Sequence, residues 1–147
     1  LKLHSDANPS LNTVTAYGLG FIEINQTRFD RAIAFGPLGP IRPWPANHAA
    51  DISTTLLMQA CGLVVKRLDP LAFLDAEDAS PELDPDRPEV LLVGTGSTQV
   101  LLRQDILAPL FRAGVGVECM STPAAARTYN ILMAEGRQVI AALITES

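Results

Sequence analysis

"EVLLVGTGS" (89–97) is the stretch on which the fold turns. Val90 to Val93 form an unbroken apolar run, the pattern of a strand covered on both faces. Gly94-Thr95-Gly96 then breaks it. The chain beyond this turn is regular. "QDILAPLFRAG" (104–114) reads as a helix closed by Gly114, and "VGVECM" (115–120) as a second buried strand. "STPAAARTYNILMAEG" (121–136) is the clearest helix, with Thr122 as cap, Pro123 at its opening and Gly136 at its close. "RQVIAALI" (137–144) is a third buried strand. The order β-α-β-α-β favours parallel neighbours joined by right-handed crossovers, which is an α/β fold.

The first half reads differently. "TVTAYG" (13–18) and "FIEIN" (21–25) alternate apolar and polar residues, as half-buried antiparallel strands do. Gly18 and Gly20 allow a tight turn between them. "RFDRAIAF" (28–35) reads as the next strand, after a hairpin turn near Asn25-Gln26. "IRPWP" (41–45) fits only a short or edge strand, because its prolines cannot donate to a ladder. "DISTTLLMQACG" (51–62) is a helix with Ser53 as N-cap and Gly62 as stop. "LVVKRL" (63–68) reads as a short strand and Asp69-Pro70 as a helix start. Residues 1–12 read as a loose N-terminus and 75–88 as an acidic loop. At 147 residues, the whole, 1–147, fits a single domain.

Charge narrows the partners. The net charge is −5, and the excess sits in Asp75, Glu77, Asp78, Glu82, Asp84 and Asp86. The remainder is nearly neutral and lacks the basic stripe of a nucleic-acid binder, so no nucleic acid is expected. No apolar run is long enough for an integral membrane segment. Cys61 and Cys119 lie in unrelated contexts, which suggests a reducing compartment; a cytoplasmic location is the expectation.

Gly94, Thr95 and Gly96 end a buried strand, where ligands of open α/β sheets tend to sit. A dinucleotide fingerprint, however, requires G-x-G-x-x-G opening directly into a helix. Here Gln99 holds the third glycine's place, and "QVLL" delays the helix. No cofactor is expected. The structural reading is a turn; the functional one is an anion pocket. Arg127 and Asn130, three apart, share a helix face. Glu118 ends a strand near the start of that helix and could pair with Arg127. These residues are the ligand or pocket candidates. Trp44, flanked by Pro43 and Pro45, is either a cap on the core or a partner-contact residue. Cys119 precedes a helix N-terminus, yet a nucleophile there would need a base, and His4 and His48 lie in irregular segments. No catalytic residues and no metal ligands are assigned, since the histidines and cysteines have no ligand spacing.

The order GTG, G-x-G-x-E-x-M, A-x-R-T-Y-N and E-G-R over residues 89–144 resembles an uncharacterised bacterial and mitochondrial domain family. That family includes the mitochondrial complex I (NADH dehydrogenase) assembly factor three. The opening "GFIEINQTRFDRAIAF" and the later Trp44-Pro45 fit its first strands. The resemblance implies a three-layer fold with a mixed central sheet and antiparallel N-terminal strands. It also implies a non-enzymatic interaction or assembly factor with a protein partner. It carries a motif set, Gly94, Gly96, Glu118, Arg127, Thr128, Asn130, Glu135 and Arg137, and no catalytic residues. The alternative is a small-molecule or anion-binding domain, possibly an enzyme, with its site between the 94–96 turn and Arg127.

Overall fold

The computed structural model describes residues 11–63 and 84–145. The expected strand beyond Leu63, the helix start at Asp69-Pro70 and the acidic stretch up to 83 lie outside the described residues. In chain order the elements are β1 (Val14–Gly18), β2 (Phe21–Ile24), β3 (Thr27–Phe29), β4 (Ile33–Phe35), β5 (Arg42–Pro43), α1 (Thr54–Ala60), β6 (Val90–Gly94), α2 (Gln104–Arg112), β7 (Gly116–Met120), α3 (Thr122–Ala134) and β8 (Val139–Leu143). Five strands form a mixed sheet in the order β5-β4-β8-β6-β7, and β1, β2 and β3 form a separate antiparallel sheet.

The apolar run at 90–93 accounts for the layering. β6 lies parallel to both β7 and β8, with Leu92 opposite Glu118 on one side and Ala141 on the other. Its side chains alternate between faces. Leu91 and Val93 pack with Leu57 of α1 and Leu107 and Leu110 of α2. Val90 and Leu92 pack with Ala125, Ala126 and Tyr129 of α3 and with Val14, Ile22 and Ile24 of the small sheet. The crossovers β6-α2-β7 and β7-α3-β8 thus place their helices on opposite faces. The result is a three-layer α/β fold, with α3 and the small sheet sharing one outer layer.

Local chemistry sets the joints. Asn25 and Gln26 both take positive φ, 53° and 68°, as the two central residues of a tight hairpin between β2 and β3 require. Ser53 caps α1 by accepting the Leu56 N–H, and Gly62 ends it with φ of 70°. Tyr129 is fully buried, meets Phe35 edge-to-face at 4.7 Å, and donates its hydroxyl to the Asn12 carbonyl at 2.7 Å. Such an aromatic pair contributes about 1 kcal/mol beyond its buried area. Asn12, part of the stretch read as loose, is buried. Its amide nitrogen donates to the carbonyls of Gly36 and Gly39.

Three elements differ from expectation. The single strand read over 28–35 is two strands in different sheets, with Asp30 and Arg31 exposed at the break. The chain crosses there from the outer layer to the central sheet. The burial pattern changes with it, from the half-exposed β3 to the fully buried β4. β7 is an edge strand rather than a doubly covered one, so Gly116 and Glu118 face solvent. Finally, Ser121 rather than Thr122 caps α3, accepting the Ala124 N–H. Thr122 is the first helical residue, and its side chain turns inward.

Candidate functional site

The inward turn of Thr122 organises the strand ends. β6 continues toward α2 and β7 toward α3, on opposite faces, so the crevice between their C-terminal ends is the topological switch point. In this chain protein groups fill it. The Thr122 hydroxyl donates to the Ile144 carbonyl at 2.6 Å and accepts the Gly96 N–H at 2.9 Å. The Thr122 N–H returns to the Gly96 carbonyl at 2.8 Å, and the Ile144 N–H meets the Gly94 carbonyl at 2.9 Å. Gly96 therefore has both backbone groups committed to one residue. Thr95 is buried as well. Its N–H donates to the Met120 carbonyl, and its hydroxyl bonds the Thr98 carbonyl at 2.7 Å while accepting the Val100 N–H at 3.0 Å.

Steric facts explain the two glycines. A Cβ on Gly94 would lie 2.8 Å from Thr122 Oγ1, 2.9 Å from Leu143 Cδ2 and 3.0 Å from Thr122 Cα. Only a bare backbone lets the first turn of α3 sit this close to β6. Gly96 takes a φ of 99°, a conformation that L side chains rarely adopt. The Thr95 and Gly96 N–H groups that an anion at this turn would need are thus engaged with the chain itself.

Arg127 and Asn130 share a face of α3, but that face looks toward β1 rather than the 94–96 turn. The Asn130 side chain accepts the Val14 N–H at 2.9 Å and donates to the Val14 carbonyl at 2.8 Å. One amide thereby imitates a neighbouring strand at the point where the β1–β2 pairing shifts register. Arg127 donates to the Tyr17 hydroxyl at 2.8 Å, with its guanidinium 5.9 Å from the ring centroid. Among the described residues the salt bridges are Arg103–Asp105 and Arg137–Glu89, so Glu118 and Arg127 are not paired. Glu118 is exposed on β7, and it is the last of the carboxylates that raise the Arg137 pKa, after Glu89 and Glu135.

Trp44 is 4% exposed. Its indole N–H donates to the Leu56 carbonyl at 2.9 Å, fixing α1 against the sheet. Burial pushes the Cys119 thiol above its ordinary value, against a smaller opposing effect of the Leu102 N–H. Burial likewise raises Cys61 to about 12, with Arg42 opposing. Neither shift favours a thiolate. The residue that the sequence reading missed is Thr122, taken for a cap. Its signal was present: Ser121 is an equally good cap one residue earlier and leaves Thr122 free to point elsewhere.

A cavity of about 320 Å³ adjoins this ring and shares Gly96, Thr122 and Ile144 with it. It lies between the β1–β2 hairpin and the strand ends, with Phe21, Ser97, Pro123 and Thr145 in its wall.

A sequence model of the family described as "Protein of unknown function (DUF498/DUF598)" matches residues 14–144, from the first residue of β1 to the one after β8. The chain belongs to the DUF498/DUF598 family. A solved relative of this DUF498/DUF598 chain is a Bordetella pertussis protein described as a Mth938-like domain. It is 57% identical over the whole of this chain and 94% of its own, with a TM-score of 0.78. The human NADH dehydrogenase [ubiquinone] 1 alpha subcomplex assembly factor 3 is 42% identical over 58 residues, which are 40% of this chain and 32% of that protein. The 13 kDa major membrane protein of Francisella tularensis is 39% identical over 57 residues, 39% of this chain and 46% of that one. The match spans less than half the length of these two curated relatives. Among the described residues no helix is long and apolar enough to cross a membrane.

Proposed function

We propose that this DUF498/DUF598 chain is a non-enzymatic interaction domain that serves the assembly of a membrane-bound respiratory complex of the NADH dehydrogenase type. One observation carries the reading. The polar residues at the place where an α/β enzyme keeps its chemistry are used to lock the fold: Thr95 and Thr122 are buried and bonded to backbone. The assembly-factor relatives, by their names, add the class of partner. The same end of the sheet offers apolar side chains to another protein. Leu19 is 85% exposed, and Leu101 is 77% exposed on the loop after β6. Side chains of this kind anchor interfaces when a partner covers them.

The test is in-cell cross-linking of the tagged chain followed by identification of what it captures. NADH dehydrogenase subunits are expected with the wild type and are lost in a Leu19→Glu/Leu101→Glu variant whose melting temperature is unchanged. Equal recovery of those subunits with the variant and the wild type, or their absence from both, contradicts the proposal.

A further inference from the structure

We propose that the open edge of β7 is a homodimer interface, where a second copy of this chain adds its own β7 antiparallel and joins the two five-stranded sheets into one. The interface goes beyond the partner reading above and uses none of the residues on which that reading rests. The central sheet has two edges, and they are made differently. β5 is two residues long and carries Pro43, which cannot donate to a further strand. β7 is five residues long, pairs with β6 without a register shift, and contains neither proline nor lysine. Of the devices that keep an edge from pairing it carries only one charge, Glu118.

The backbone directions on β7 follow from its bonds. The Gly116 N–H reaches the Glu89 carbonyl at 3.1 Å, and the Met120 carbonyl accepts the Thr95 N–H at 2.9 Å. Gly116, Glu118 and Met120 therefore turn their N–H and C=O groups toward β6. Val117 and Cys119 turn theirs to the open edge, with Val115 next in line before them. Two groups of this row are already used within the chain. The Val115 N–H donates to the Leu110 carbonyl at 2.9 Å, and the Cys119 carbonyl accepts from the Gln99 side-chain amide at 2.9 Å. The Val115 carbonyl, both groups of Val117 and the Cys119 N–H have no hydrogen-bond partner among the described residues.

That pattern is self-complementary in one antiparallel register. With Val117 opposite Val117 of the second copy, the two valines exchange both bonds, and each Cys119 N–H meets the Val115 carbonyl of the other copy. The groups left over are the Val115 N–H and the Cys119 carbonyl, the same two that the chain satisfies by itself. Glu118 then stands opposite Gly116, which has no side chain to oppose it. Placing Val117 opposite Cys119 instead would need the carbonyl held by Gln99. It would also set the two Glu118 carboxylates face to face, which is destabilising. A two-fold axis normal to the sheet closes the favoured pairing, so it ends at two copies. The same axis brings the two α2 helices, which pack on β7, to one face, where each carries Phe111, 47% exposed.

The test is sedimentation velocity of the full chain over a concentration series, with amide hydrogen exchange at its two ends. A monomer–dimer equilibrium is expected, and the Val117 and Cys119 amides should be protected only where dimer forms. Val117→Pro removes the central donor without touching the bonds to β6 and should give a monomer. Gly116 tests the register, because a Cβ there meets only the Glu89 carbonyl oxygen, at 3.6 Å. Gly116→Lys puts a cation opposite each Glu118 and should tighten the dimer about fivefold, and Gly116→Glu should loosen it by a similar factor. The proposal is overturned if the chain stays monomeric up to about 1 mM. It is overturned equally if dimer forms while the Val117 and Cys119 amides still exchange freely, if folded Val117→Pro dimerises as the wild type does, or if Gly116→Lys and Gly116→Glu move the equilibrium in the same direction.

Discussion

α3 is joined to the rest of the molecule at two places, and the two joints are made differently. At its first turn, Thr122 is threaded into the ends of β6 and β8. The joint is buried, reciprocal and dependent on a bare glycine beneath it. Two turns later, Asn130 and Arg127 reach outward to β1, and that joint is half-exposed, with one amide and one guanidinium on a separate small sheet. Both sets of residues stand out in the sequence as polar groups near a strand end. The first closes the place where a ligand would enter an α/β sheet. The second attaches an accessory sheet, and between the two a cavity is left.

The largest effect should come from the floor of the first joint. Gly94→Ala forces Thr122 or Leu143 to move, and destabilisation of about 2–3 kcal/mol is expected in urea unfolding. A neutral result would mean that the close approach of α3 to β6 is not needed. Thr122→Val comes next. It keeps the shape but leaves the Gly96 N–H and the Ile144 carbonyl without their partner, at about 1–3 kcal/mol. Thr122→Ser should recover most of that loss. If it does not, the methyl group rather than the hydroxyl makes the joint.

The second joint should be weaker. Asn130→Ala removes two half-exposed hydrogen bonds, so about 1–2 kcal/mol is expected. The loss should fall on the small sheet, seen as faster amide exchange at Val14 with β6 unchanged. Arg127→Ala, on an exposed side chain, should cost under about 1 kcal/mol. A cost larger than that of Thr122→Val would reverse the ranking of the joints. The smallest effect belongs to the surface pair Glu89–Arg137. The hydrogen bond from Arg137 holds the Glu89 carboxyl below its ordinary value. A carboxylate depressed in the folded state adds stability above its unfolded pKa and loses it as pH falls through the folded value. Glu89→Gln should therefore lower stability slightly at neutral pH and make no difference in acid.

The central layer was legible because its signals are local. The 90–93 run, Ser53 with Gly62, and Pro123 with Gly136 each report their own neighbourhood, and the structure follows them. The break at Asp30-Arg31 was only partly legible: two consecutive polar residues interrupt the alternation and Ala32 to Phe35 are apolar throughout, but nothing local says that the chain changes layer there. The edge position of β7 was hidden for a related reason. An apolar run records side chains, whereas an edge is a missing backbone neighbour. At the site, Gly94 and Gly96 were readable as a turn. Their partner was less plain, since the one local hint that Thr122 turns inward is the equally good cap Ser121 before it, and Arg127 and Asn130 gain their neighbours 110 and 116 residues away along the chain.

Amide hydrogen exchange of Thr122→Val and Asn130→Ala beside the wild type tests most directly whether these motifs are two independent joints. The account predicts that Thr122→Val deprotects Gly96 and leaves Val14 protected, and that Asn130→Ala does the reverse. Unchanged exchange at Gly96 in Thr122→Val, or loss of protection at both amides in either variant, would contradict it.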